Sequence, residues 1–106
     1  GRWMLSELHR GAHGFMPATE AVDVHVQVWD AWQRGDEAEA RRIYRSLLPL
    51  INLILLMGLP VCKTLLMRRG IITSAAMRTP GTGKLDAGDE RELDMILEDL
   101  RPLFRV

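Results

Sequence analysis

Between Asp36 and Gly58, apolar side chains recur at Ala40, Ile43, Leu47, Leu50 and Ile54, a spacing of three, four, three and four. Only an α-helix gathers such positions into one stripe, because its 3.6-residue turn returns the chain to the same side every three or four residues. The opposite side carries Glu37, Arg41, Arg42 and Arg45, so one side of this helix is predicted to face a core and the other water. Gly35 suits the end of a preceding helix, and Asp36 with Glu39 has the spacing of a capping box. Pro49 lies inside the pattern and predicts a kink, since it removes the hydrogen bond to the Arg45 carbonyl. Gly58 ends the run, and Pro60 suits the first turn of a further helix that closes with Arg68, Arg69 and Gly70. Residues 71–85 read as a loop with a turn cluster at 80–83. Asp86 or Asp89 then starts a last amphipathic helix with Leu93, Ile96, Leu97 and Leu100 inside.

The first third of the chain gives weaker signals. Residues 3–10 read as the end of a helix with Trp3, Leu5 and Leu8 apolar and Gly11 as its stop. Residues 14–18 form a short apolar stretch that suits one buried strand, held to an edge or a strand end by Pro17. Val22, Val24, Val26 and Val28 alternate with polar or aromatic residues, which is strand periodicity. The competing stripe Val22, Val26, Trp29 and Gln33 is helical, with Thr19 as N-cap, Glu20 in the first turn, and Trp29 and Trp32 on one face. Pattern alone leaves both readings of 22–28 open. The chain as a whole reads as mostly α, with about four to five helices and one short strand.

Composition narrows the function classes. Fourteen Lys and Arg balance 14 Asp and Glu, and hydrophobic residues make up 47% of the 106. That fits a folded unit with a core, and it offers no basic stripe for phosphate, so no nucleic-acid partner is expected. The longest uncharged run, Leu47 to Cys62, holds 16 residues and contains Pro49, Asn52, Gly58 and Pro60. A bilayer span needs about 20 apolar residues, so a buried helix is expected and no membrane partner. No leader is read at the start, and the single Cys62 cannot form an internal disulfide, so a cytoplasmic setting is the expectation.

The chemical candidates are few. The stretch from Thr79 to Lys84 superficially resembles a phosphate loop. It lacks the leading strand, has Arg78 where the first glycine belongs, and has Leu85 where the hydroxyl belongs. His9 and His13 stand four apart, but Gly11 interrupts their helix and no third ligand is near, so no metal is expected. Cys62 in an apolar helix reads as a small core residue rather than a nucleophile. Lys63, among Val61, Cys62, Leu65 and Leu66, would become an amine nucleophile if burial lowered its pKa; a snorkelling side chain is the expected state. Lys84 sits in a turn with nothing to depress it.

Several of these residues fall in a recognisable order. Residues 11–18 read Gly-Ala-His-Gly-Phe-Met-Pro-Ala, followed by a helix start and then Gly35-Asp36 with Ala38, Ala40 and Arg41. Leu48-Pro49-Leu50, Pro60-Val61 with Lys63, Gly70 and Arg78-Thr79-Pro80 come after it. From Trp3 to Phe104 the succession resembles the C-terminal third of the dihydrodipicolinate synthase / N-acetylneuraminate lyase family. Each motif is common; the ordered set at compatible spacings is specific.

The resemblance implies the C-terminal piece of a TIM (β/α)8 barrel plus its C-terminal helical extension. Residues 1–34 would be the last barrel unit, comprising the end of helix seven, strand eight at 14–18 and helix eight at 20–34. Residues 35–106 would be the extension. Family members are class I Schiff-base lyases, in which a lysine amine captures pyruvate or another 2-oxo acid for aldol chemistry or dehydration. The lysine strand, the proton-relay tyrosine and the carboxylate-binding segment have no counterparts here, and Lys63 matches a helical lysine of the extension. No catalytic residue and no cofactor are therefore expected in the chain, which alone is expected to be inactive. Met16 matches the strand-eight residue that lines the 2-oxo-acid pocket. Pro17 and Thr19 depart from the synthase pattern, which brings in a dehydratase or aldolase acting on a sugar-derived 2-oxo acid. The expected partners are that substrate, in the parent enzyme, and further copies of the chain. The alternative is a free-standing helical interaction or oligomerisation module.

Overall fold

The fold is described from a computed structural model, over residues 1–79 and 83–106. Five α-helices succeed one another: α1 (Met4–His9), α2 (Val22–Gln33), α3 (Glu37–Met57), α4 (Leu59–Arg68) and α5 (Ala87–Leu100). Single 3₁₀ turns precede α2 at Thr19–Ala21 and follow α5 at Arg101–Leu103.

The long seam is the spine of the molecule. Ala40, Ile43, Leu47 and Leu50 are buried on α3, which packs against α2, α4, α5 and α1 in turn. Past Pro49 the buried position is Leu53, with Ile54 only partly covered. The helix continues through Pro49, which lies on the exposed side of α3, as does Arg45, whose carbonyl loses its partner there. Asp36 caps the helix by accepting from the Glu39 amide at 3.1 Å. The expected capping box is only half made, because the Glu39 carboxylate turns forward to Arg42 at 2.7 Å. At α5 the box is complete: Asp86 accepts from the Asp89 amide and Asp89 accepts from the Asp86 amide.

Glycine stops close the helices as read. At Gly70, φ is +72°, and Ile71 donates back to the Leu66 carbonyl, closing the left-handed turn that ends α4. Gly58, also at positive φ, separates α3 from α4 and places Pro60 in the first turn of α4.

Two expectations in the first third need correction. Residues 14–18 form no strand, and among the described residues there is none; a strand needs a neighbour for its N–H and C=O groups, and no described segment offers one. Segment 22–28 is helix, but its buried stripe is Val24, His25, Val28 and Ala31, while Val22 and Val26 are exposed. The α2 surface that meets α3 is thus rotated from the expected one. Thr19 supplies no cap; it opens the 3₁₀ turn that sinks Glu20 and Ala21 into the core. The turn cluster expected at 80–83 falls mostly on 80–82, outside the described residues.

Candidate functional site

Met16 lies on an open segment between α1 and the first 3₁₀ turn. Its side chain is 97% exposed. The neighbours on either side, Phe15 and Pro17, instead line a concavity of about 270 Å³ together with Met4, His25, Val26 and Trp29. Phe15 meets the Trp29 ring edge-on, 6.5 Å between centroids. The segment therefore lays Phe15 and Pro17 onto α2 and directs Met16 away, the alternation that extended backbone produces.

Beneath this segment lies a cluster of buried polar groups that pattern reading did not single out. His25 is buried, and its Nδ1 donates to the Ala21 carbonyl at 2.9 Å. Burial pushes its pKa below the usual histidine value, so the imidazole is held neutral. Glu20 is buried as well, and its Oε2 has no hydrogen-bond partner. Cys62 on α4 comes against Glu20; burial first, then the charge and hydrogen bond of Glu20, push the thiol up to about 12. A thiol so placed stays protonated and is no nucleophile.

Arg69 organises the far side of the cluster. The helix-end arginine expected to meet the α4 dipole instead reaches back to α2, with its side chain only 5% exposed. It donates two hydrogen bonds to the Asp23 carboxylate, at 2.7 and 3.1 Å, and one to the Glu20 carbonyl. It also donates to the Val106 carbonyl and lies 3.9 Å over the Phe104 ring. Arg69 Nε is left without a partner. Asp23 further accepts from the Arg105 amide at 2.8 Å. Burial pushes the Asp23 pKa up, but the Arg105 amide and the Arg69 hydrogen bonds and charge outweigh it, and the net shift is down. Gln27 donates to the Leu103 carbonyl, so residues 103–106 are strapped to α2.

The other candidates are dispersed. Lys63 donates to the Ala76 carbonyl, its stem along α4 and its ammonium on the loop that follows. Lys84 is exposed in the stretch before α5. Neither lines the concavity beside Met16. His9 packs edge-on against Trp32 and meets Glu37 at 3.0 Å, whereas His13 stands at the concavity's mouth. Among the described residues no three His, Cys, Asp or Glu side chains converge as a metal site would require, and no helix is long and apolar enough to cross a membrane.

The described residues thus form a mostly helical array built on one long seam. The chain belongs to the dihydrodipicolinate synthetase family, whose model matches residues 2–100. No curated protein and no solved structure matches it significantly.

Proposed function

We propose that this chain is the C-terminal portion of a lyase that forms a Schiff base with pyruvate or another 2-oxo acid, and that it lacks the nucleophile itself. In this reading residues 1–34 complete a barrel and residues 35–106 form the helical extension that buttresses it. Met16 then faces the 2-oxo-acid pocket once neighbouring strands pair with residues 14–18. A protein of this type works in the cytoplasm and needs no cofactor, because the imine itself serves as electron sink.

One observation carries the reading. The family match runs through nearly the whole chain, yet the two lysines, Lys63 and Lys84, both lie away from the concavity beside Met16. An amine nucleophile works only within reach of the bound carbonyl, in surroundings that release its proton. The fully exposed Met16 and the unpaired backbone around it fit an element whose partners are supplied by another part of the protein. Left alone, such surfaces favour self-association, and the chain is proposed to form homo-oligomers.

Co-expression with the lysine-bearing barrel portion of a family member tests this directly. Cleavage or condensation of a 2-oxo acid that requires both parts is the expected result. A stable, monomeric helical protein with no activity in combination would favour the interaction module instead.

A further inference from the structure

We propose that Glu20 and His25 hold the far end of the substrate, so that the parent lyase acts on 2-oxo acids bearing hydroxyl groups beyond the reacting carbons. The inference rests on the lyase reading above. Glu20 is only 2% exposed, and its Oε2 has no hydrogen-bond partner, although the Cys62 thiol bonds to the carboxylate. A buried carboxylate oxygen with no donor is unfavourable, and its presence in a folded protein calls for a specific cause. The geometry supplies one, because Glu20 lines a concavity of about 180 Å³ walled by Pro17, Ile51, Ile54 and Leu55. His25 lines the same space. Its Nδ1 donates to the Ala21 carbonyl, so the neutral ring keeps its lone pair on Nε2. That atom lies against Gly1 on the same wall, where an added Cβ would stand 3.0 Å away.

Two acceptors in an apolar wall select a group that donates. Arg2 lines the concavity without reaching Oε2, and its guanidinium already supplies positive charge there. The donor that fits is therefore neutral, a hydroxyl rather than an ammonium. At about 180 Å³ the space is smaller than the roughly 300 Å³ at which whole-ligand pockets begin, so it takes one end of a substrate. Pro17 and His25 also line the concavity beside Met16, which makes the two spaces neighbours. In the lyase reading residues 14–18 are a barrel strand, and Glu20 follows just beyond its C-terminal end. Barrel enzymes carry their sites at that end of the strands, where the βα loops converge. Met16 then addresses the carbonyl end of the bound acid, and Glu20 with His25 its hydroxylated chain.

Borohydride trapping on this chain combined with a lysine-bearing barrel portion of a family member tests the assignment. The matched probes are 2-oxohexanoate and the same acid with hydroxyls on its last three carbons. Both form the same imine and differ only where Glu20 and His25 act. The expected result is half-maximal trapping of the hydroxylated acid at a concentration lower by roughly tenfold or more, as one hydrogen bond to a charged acceptor gives. Glu20→Met fills the same space without an acceptor and is expected to erase that ratio; Glu20→Gln keeps an amide oxygen and is expected to retain part of it. A wild-type combination that traps both acids equally overturns the assignment, as does a Glu20→Met protein that keeps the ratio. Should Glu20→Met fail to assemble with the barrel portion, His25→Leu is read in its place, and an unchanged ratio there overturns the assignment equally. A wild-type combination that traps neither acid, nor pyruvate, overturns the lyase reading and this inference with it.

Discussion

Arg69 is the residue on which most depends locally, and its role follows from where its charge ends up. A guanidinium 5% exposed beside a carboxylate 12% exposed is stable only while both partners remain. Arg69→Ala strands Asp23 and releases residues 103–106, and is expected to cost about 3 kcal/mol in urea unfolding. The same pair sets an acid limit. Asp23 has its folded pKa lowered, so its contribution is fully present above its ordinary value of 3.8 and is lost as pH falls through the folded value below that. His25 adds a second, milder window. Its folded pKa is also lowered, so stability is full above 6.5 and declines as pH falls below it, where the unfolded chain takes up the proton more readily. His25→Gln is expected to flatten the stability profile below pH 6.5 in pH-dependent unfolding. Cys62, buried and pushed up to about 12, is expected to resist maleimide at neutral pH until denaturant is added. Of this cluster only the burial of Cys62 is legible in the sequence. Arg69 carried the signature of a helix end, and nothing in the spacing of Glu20, Asp23 and Cys62 announces that a 3₁₀ turn brings them together.

At the level of elements, the sequence was most informative where one face is fully buried. The α3 seam, the glycine stops at positions 35, 58 and 70 and the Asp86 cap all lie where periodicity and capping chemistry place them. Leu47→Ala, at the centre of the seam and fully buried, is expected to cost about 3 kcal/mol, because the cavity adds to the lost transfer energy. Asp86→Ala removes one half of a made capping box and is expected to cost about 1 kcal/mol in the same unfolding assay. Segment 22–28 was misleading for a physical reason. Four valines at every second position satisfy strand periodicity, while in the helix only Val24 and Val28 point inward. The helical stripe offered by the sequence runs through Val22, Val26, Trp29 and Gln33; packing against α3 selects Val24, His25, Val28 and Ala31 instead. The absence of a strand at 14–18 has the same origin. An apolar extended stretch becomes a strand only beside another, and that partner is a property of the surroundings rather than of the five residues.

For the whole molecule, the dimensions of 44 × 25 × 23 Å describe an array that outruns its longest helix, α3 at about 32 Å, and is little more than two helices across. Such a shape closes a core around Leu47, Leu50, Leu65, Leu93 and Leu100 while leaving the sides of α1 and α3 and the segment at Met16 bare. The proposed function makes a specific claim about this molecule: the amine that captures the carbonyl comes from another part of the protein. Borohydride reduction in the presence of pyruvate, read by intact mass on the chain mixed with a lysine-bearing barrel portion, tests that claim most directly. The expected spectrum shows a pyruvate-derived adduct on the barrel portion and an unchanged mass for this chain; an adduct on Lys63 or Lys84 would contradict it.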